Sequence, residues 1–138
     1  MSNAAELILQ AVSAAVPADV KVYDAMVTDA PPPARYVVLY IPDELREITG
    51  LVAVSDGRSC SFQATTVTSN RIPAYAPGDC RWLAGRVAGA LTDLVITPSG
   101  MARAQIVQVG SQPPRPDEAT PDKKVFATAQ FSFRSVQI

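Results

Sequence analysis

Apolar residues recur every three or four positions near the start of the chain, which is the spacing of an amphipathic helix. Asn3 and Glu6 approximate the capping box that begins many helices. The apolar positions that follow are Ile8, Val12, Ala15 and Val16. We therefore predict a helix over residues 4–16 that ends at Pro17, because proline lacks the backbone N–H that continues a helix.

A second helical pattern begins at Pro77-Gly78-Asp79, with Asp79 as the predicted N-cap. Its predicted buried stripe, assisted by Trp82, consists of Leu83, Val87, Ala90, Leu91 and Leu94. Its predicted outer side consists of Arg81, Gly85 and Thr92. The spacing of Gly85 and Gly89 indicates a helix that packs closely on a sheet, since glycine leaves room for a neighbouring element.

The other apolar segments have the composition or the two-residue alternation of strands. They are residues 20–23, 35–41, 59–68 and 104–109, and a final strand that begins at Val125. The final strand has about 13 residues and spans roughly 43 Å at about 3.3 Å per residue, so we predict that it bends or projects beyond the domain. Its predicted core-facing positions are Val125, Ala127, Ala129, Phe131 and Phe133.

Two of these strands indicate what surrounds them. Residues 35–41 are apolar on both faces, so this strand is predicted to be covered on two sides, either centrally in the fold or by a neighbouring subunit. The strand 59–68 alternates, and its predicted inward positions are Cys60, Phe62, Ala64 and Thr66. Together the elements predict an α+β fold, in which an antiparallel or mixed sheet of about four to five strands carries two amphipathic helices on one face.

The chain is predicted to be a single domain over residues 1–138, because this length is typical of one hydrophobic core. The segment 42–58 is predicted to be either a hairpin or a mobile arm, and the proline-rich segment 110–122 is predicted to be a mobile, exposed loop. No apolar run approaches the roughly 20 residues that span a bilayer. The start of the chain lacks the pattern of a signal peptide, so we expect a soluble, unexported protein.

Charge is unevenly distributed although the net charge is only −1. Residues 1–58 hold eight acidic and four basic residues, whereas residues 59–138 hold five acidic and eight basic ones. This difference either arises by chance or indicates a molecule with an acidic and a basic end, which suits head-to-tail packing of identical subunits. A chain without a basic excess is not expected to be a general nucleic-acid binder.

Residues for catalysis or metal binding are scarce. The chain has no histidine, which removes the usual general base and the commonest metal ligand. Its two cysteines, Cys60 and Cys80, form no CxxC motif and are expected to be buried small hydrophobic residues.

Two acidic groups lie in polar segments where solvation is expected: Asp43, Glu44 and Glu47, and Asp117, Glu118 and Asp122. Four basic residues have two interpretations, phosphate contact or a solvated surface: Arg81, Arg86, Lys123 and Lys124. We predict no enzyme activity and no catalytic, cofactor-binding or metal site.

Several motifs occur in an order that resembles a known family. Val22-Tyr23-Asp24 is followed by a proline-rich stretch and by Arg35-Tyr36-Val37-Val38-Leu39. Next come Phe62-Gln63-Ala64-Thr65-Thr66-Val67 and Cys80-Arg81-Trp82-Leu83-Ala84-Gly85-Arg86-Val87. The last motif is the strand Val125-Phe126-Ala127-Thr128-Ala129-Gln130-Phe131-Ser132-Phe133. In this order the motifs resemble the tail terminator proteins, also called tail completion or minor tail proteins, of bacteriophages with long non-contractile tails.

The resemblance implies a ring, expected to be a hexamer, that caps the tail tube, stops its polymerisation and joins it to the head. It implies subunits that are often monomeric when free. It also implies a location in the virion tail and, during assembly, in the host cytoplasm. The implied partners are other copies of the chain, the tail tube protein and the head–tail connector. DNA is expected to pass through the lumen without specific binding, and neither a membrane nor a cofactor is implied.

Candidate contact surfaces come from the sequence itself: the segments 42–58 and 110–122 and the two-faced strand 35–41. Two other functions remain open. One is a head–tail connector or stopper protein at the same junction. The other is a small binding module or an unusual enzyme outside phage biology, which a ligand-sized apolar pocket with convergent polar groups would favour.

Overall fold

The computed structural model describes residues 4–41, 57–69, 76–97, 103–117 and 124–136. The elements in these ranges are α1 (Ala4–Ala15), β1 (Lys21–Asp24), β2 (Arg35–Tyr40), β3 (Gly57–Thr68), α2 (Ala76–Leu91), β4 (Val95–Ile96), β5 (Ala104–Gln105), β6 (Val107–Ser111), β7 (Arg115–Pro116) and β8 (Val125–Val136). Six of the strands form a mixed sheet and two form a small separate sheet, so the predicted α+β class is confirmed. Neither helix has the length and apolar character that would let it cross a membrane.

The pairing of β3 with β8 forms the centre of the main sheet. The two strands run antiparallel in unbroken register, from Gly57 opposite Val136 to Thr68 opposite Val125. On the other side of β3 lies β2, and β1 pairs with β2 in parallel. On the other side of β8, β6 and β7 follow one another along the same edge. The strand order is therefore β1-β2-β3-β8-β6, with β7 also paired to β8.

One end of the central pair extends past the neighbouring strands. β2 pairs with β3 only between Gln63 and Thr68, and β6 pairs with β8 only as far as Ser132. Within the described residues, 57–60 and 133–136 therefore pair only with each other. The final strand thus extends past β2 and β6 at this end, although Phe133 within the extension is still part of the buried core.

Both helices bury their apolar stripes on one face of the sheet. The buried positions are Ile8 and Val12 of α1, Leu83, Val87 and Leu91 of α2, and Val37, Leu39, Phe62, Phe131 and Phe133 of the sheet. The ring of Phe62 stacks on that of Phe131 with the ring centres 5.5 Å apart. It meets the ring of Phe133 edge to face with the ring centres 6.3 Å apart. Because burial of one such side chain contributes about 1.5–3 kcal/mol, this layer is the main source of stability.

Helix α2 begins earlier than predicted and presents a different face to the sheet. It begins at Ala76, so Asp79 lies in its first turn rather than at the N-cap, where a carboxylate still favours the positive end of the helix. Trp82 is 50% exposed, because Leu83 faces the sheet and consecutive helical residues point about 100° apart. Gly85 and Gly89 have open space where a side chain would lie, so the predicted close packing at these glycines is wrong.

The predicted strand 104–109 is divided between the two sheets at Ile106. The Ile106 N–H donates to the Leu94 carbonyl at 2.8 Å, and its own carbonyl accepts from the Asp93 N–H at 2.9 Å. These bonds hold the residue beside the β4–β5 pair, and β6 begins immediately afterwards in the main sheet. The chain thus changes sheets within one alternating segment, which periodicity alone does not reveal.

The segments 42–58 and 110–122 both contain strand residues. Gly57 and Arg58 begin β3, and residues 42–56 lie outside the described ranges. In the segment 110–122, Gly110 and Ser111 complete β6 and Arg115–Pro116 form β7, while residues 118–122 lie outside the described ranges. Backbone hydrogen bonds to β8, rather than apolar side chains, account for these strands.

Replacement of Phe131 by alanine is expected to lower the free energy of unfolding by about 3–5 kcal/mol, because it leaves a cavity beside Phe62. Trp82→Ala is the matched control and is expected to cost about 1 kcal/mol or less, since this side chain is half exposed. Urea unfolding followed by circular dichroism measures both values. Equal losses for the two variants would contradict the assigned face of α2.

Candidate docking surfaces

The strand predicted to be covered on both sides is β2, and its cover comes from the chain itself. Val37 and Leu39 face the helices. On the opposite face, Tyr36 and Val38 form a small buried cluster with Tyr23, Val67 and Phe126. The rings of Tyr23 and Tyr36 meet edge to face with their centres 5.8 Å apart. Of the two alternatives for this strand, the structure shows the central position within the fold.

The face of the sheet away from the helices has an exposed, uncharged part. We call it the open-face patch, and it consists of Tyr40, Gln63, Val109 and Gln130, which line a shallow depression of about 430 Å³. Tyr40 is 42% exposed and Val109 is 59% exposed. Amide and apolar side chains without charge suit contact with another protein surface, since they carry little desolvation cost.

One edge of the sheet is acidic. We call it the acidic edge and define it as residues 17–34, which contain β1. Its charged residues are Asp19, Lys21, Asp24 and Asp29. After β1 the chain turns at Ala25, whose φ is 67°, and Met26 and Val27 then lie on the surface. Met26 is 67% exposed, so the acidic edge also presents an apolar contact.

Hydrogen bonds fold the acidic edge back onto β1. The Tyr23 hydroxyl and the Lys21 ammonium both donate to the Asp29 carboxylate, the latter at 3.1 Å. These two donors hold the pKa of Asp29 below its usual value of 3.8. Burial, together with the adjacent carboxylate, raises the pKa of Tyr23 to about 12. The proline-rich segment is therefore anchored to the strand that begins this edge.

Arg35 joins three parts of the chain at the start of β2. Its guanidinium donates to both carboxylate oxygens of Asp19, at 2.9 and 2.7 Å, and to Asp79 of α2 at 3.1 Å. The hydrogen bond to Arg35 holds the pKa of Asp19 below 3.8. Because one guanidinium nitrogen bonds Asp19 and the other bonds Asp79, Arg35 positions the turn before β1 relative to α2.

The opposite edge of the sheet is apolar and basic. We call it the basic edge and define it as residues 103–117, which contain β5, β6 and β7. Val107 is 45% exposed, and Val109 lies beside the irregular pairing between Gln108 and Gly110. Arg103 is exposed, and the Arg115 guanidinium lies 5.5 Å from the Phe126 ring centre. Two arginines against Asp117 leave this edge positive.

A groove of about 370 Å³ lies between α2 and the sheet. Its helical wall includes Ala84, Gly85 and Ala88, its floor includes Ala64, Ala127 and Ala129, and its rim includes Pro113 and Pro114. The residues of β3 and β8 that line the groove all have small side chains: Ala64, Thr66, Ala127, Thr128 and Ala129. Arg81 also lines the groove, so its apolar interior is bordered by a cation.

The basic residues predicted as phosphate contacts have different roles in the structure. Arg86 lies 5.7 Å from the Trp82 ring centre and donates to the Ala15 carbonyl at 3.2 Å, which satisfies an otherwise open acceptor at the end of α1. The Lys124 ammonium lies 5.6 Å from the Tyr36 ring centre. Arg81 is exposed beside the groove, and Lys123 lies outside the described residues. These cations are dispersed and do not form one phosphate site.

The remaining chemical candidates are also separated. Cys80 is fully buried beside Val125 and Ala127, as expected, and burial raises the pKa of its thiol to about 11. The side chain of Cys60 lies outside what the structure describes, and so do all members of the two predicted acidic groups except Asp117. Within the described ranges, no group of three or more possible ligands is placed to hold a metal ion.

Sequence reasoning named residues 110–117 of the basic edge as part of a candidate contact surface, but it missed the rest of that edge and the whole acidic edge. The signal for the missed part of the basic edge was the alternation of Val107 and Val109 with polar residues, which was assigned to a strand without further role. The signal for the acidic edge was Met26-Val27 between Asp24 and Asp29. Neither signal identifies an edge until the strand order is known.

Comparisons with known proteins give the fold and no family. No protein-family model and no curated protein matches the chain. Twenty-five solved chains match it. One of these, designated only by a sequence number, aligns with a TM-score of 0.56 and 16% sequence identity over 92% of this chain and 85% of that one. At this identity the similarity shows a shared fold alone.

Tyr23→Phe is expected to change how stability depends on pH at both ends of the range. Asp29 stabilises the fold above its unfolded pKa and loses this contribution as pH falls through its lowered folded pKa. The Tyr23 hydroxyl stabilises the fold at pH values below its unfolded pKa of about 10. This contribution is lost as pH rises through its folded pKa of about 12. The stability difference between wild type and variant should therefore be largest from about pH 4 to 10. Denaturant unfolding across pH 3–12 measures it, with Tyr40→Phe as control. A difference that is constant over this range would contradict the assignment.

Proposed function

We propose that this chain is a tail terminator that forms a ring on the end of a bacteriophage tail tube, stops tube polymerisation and joins the tube to the head. The order of sequence motifs from β1 to β8 supports this proposal. The observation that carries it is the pair of unlike edges, one acidic and one basic, at opposite ends of a single sheet. A subunit with two different contact edges assembles head to tail, and such assembly closes into rings when the rotation is right.

The described chemistry is consistent with a docking protein. Exposed large apolar side chains occur at both edges and on the open-face patch, and also at Trp82 of α2 and Val95 of β4: the edge residues are Met26, Val27, Val107 and Val109, and the patch residue is Tyr40. The ionisable groups with shifted pKa values are paired within structural networks rather than gathered in a cleft. In this proposal the edges join subunits and the remaining surfaces face the tube and the connector.

A connector or stopper at the same junction is the second proposal, because it also needs a ring of identical subunits. The two proposals differ in the partner: a terminator binds the tube end, and a connector binds the portal or its adaptor.

The groove favours a third function, a small binding module. Its volume of about 370 Å³ is within the range of ligand sites, and its lining combines alanines with Thr66, Gln108 and Gln112. Ala84→Leu would fill part of this groove from its helical wall and replaces no residue of either edge, although Gln108, Pro113 and Pro114 of the basic edge also line the groove. The proposed ring contacts use the exposed Val107 and Val109, which do not line the groove, so this variant separates the two functions.

The test is polymerisation of the purified cognate tube protein in the presence of the chain. Substoichiometric chain is expected to arrest light scattering and to shorten the tubes, because one ring at one end blocks further addition. Ala84→Leu is expected to arrest polymerisation equally. Tubes that grow at the same rate and to the same length with and without the chain would overturn the terminator proposal. Loss of arrest in Ala84→Leu alone would favour the groove as the working site.

A further inference from the structure

We infer that the acidic edge of one copy docks on the basic edge of a second copy, so that the sheets of adjacent subunits lie edge to edge. The inference rests on the proposed ring function and assigns the surfaces that would build it. It commits to a second copy of this chain as the occupant of each edge.

The first argument is charge complementarity. The acidic edge carries three carboxylates and one lysine, a net charge of −2, or −1 when Arg35, which pairs with Asp19, is included. The basic edge carries Arg103 and Arg115 against Asp117, a net charge of +1. Opposite potentials at two surfaces of one molecule attract between copies, whereas like edges repel. The arrangement therefore favours unlike edges and disfavours a symmetric dimer through either edge.

The second argument is the position of exposed apolar side chains. Met26 and Val27 lie beside β1, and Val107 and Val109 lie on β6. Each edge thus combines an apolar contact with charge around it, which is the composition of a protein interface with a polar rim. Isolated exposed hydrophobic residues are common, but here two of them occur together at each edge of one sheet.

The third argument is backbone geometry. Within the described residues, β1 pairs only with β2 and β6 pairs only with β8. Each outer strand presents backbone N–H and C=O groups on its free side, which readily accept another chain. The four-residue length of β1 and the five-residue length of β6 are comparable.

The fourth argument is separation. Three strands lie between β1 and β6, so at about 4.8 Å per strand spacing the two edges are roughly 19 Å apart. Because the two edges lie on opposite sides of the sheet, a copy that pairs edge to edge with one of them cannot also pair with the other. Each subunit has a different neighbour on each side, and the assembly is a closed ring or a filament.

Two charge-exchange variants test the inference. The first is Asp24→Lys with Met26→Lys, which makes the acidic edge basic. The second is Arg103→Glu with Val109→Glu, which makes the basic edge acidic. All four side chains are exposed, so both variants are expected to fold, and circular dichroism checks this. Arg81→Glu, which reverses a charge on the exposed side of α2, away from both edges, is the control.

Sedimentation velocity up to about 1 mM protein gives the assembly state. Wild type and Arg81→Glu are expected to assemble. Each exchange variant alone is expected to associate at least about tenfold more weakly, because its two edges now carry the same sign. An equimolar mixture of the two variants is expected to regain assembly, since every junction in an alternating ring again joins opposite charges.

Three results would overturn the inference: assembly of either exchange variant like wild type, no recovery in the mixture, or a wild-type protein that stays monomeric at about 1 mM. The tube polymerisation assay, run on the same proteins, keeps this failure distinct from failure of the proposed function. Wild-type arrest of tubes that persists in both exchange variants would reject the edges and retain the terminator. Wild-type assembly through these edges without any arrest would do the reverse.

Discussion

The fold depends on the long antiparallel pairing of β3 with β8. Its register places Phe62 opposite Phe131 and Ala64 opposite Ala129, so large side chains meet beneath the helices at one level and small ones at the next. A shift of one residue would turn every one of these side chains to the opposite face. Helix α2 packs on this pair, and α1 packs against α2 and β1. Further strands pair on each side of the β3–β8 pair, β2 on β3, and β6 and β7 on β8. The position of every edge and face therefore follows from this single register.

Sequence predicted the parts of the structure in which burial follows a simple period. The helix over residues 4–16, the apolar strand 35–41 and the alternation from Val125 to Phe133 are confirmed, because each buries one continuous stripe or face. Periodicity alone did not predict the position of Trp82. Its apolar character indicated burial, but its neighbour Leu83 faces the sheet and Trp82 is half exposed. Composition also failed for β7, where Arg115 and Pro116 form a strand through backbone pairing to β8.

The candidate surfaces were harder to predict than the core, for a physical reason. A core residue is specified by its own hydrophobicity and spacing, whereas an edge is specified by which strands lack an outer neighbour. The uneven charge of the two halves of the chain was visible in the sequence, and it indicated opposite ends. The strand order shows where these two ends lie. β1 belongs to the acidic half of the chain and β6 to the basic half, and the two strands lie at opposite margins of one sheet.

The central claim is that this chain acts by forming a closed ring at a tube end. Electron microscopy of assembled tubes, imaged after addition of the purified chain, examines this directly. The account predicts a ring of identical subunits, expected to number six, at one end of each tube and absent from its sides. Chains bound along the tube wall, or tube ends that stay bare at saturating protein, would contradict it.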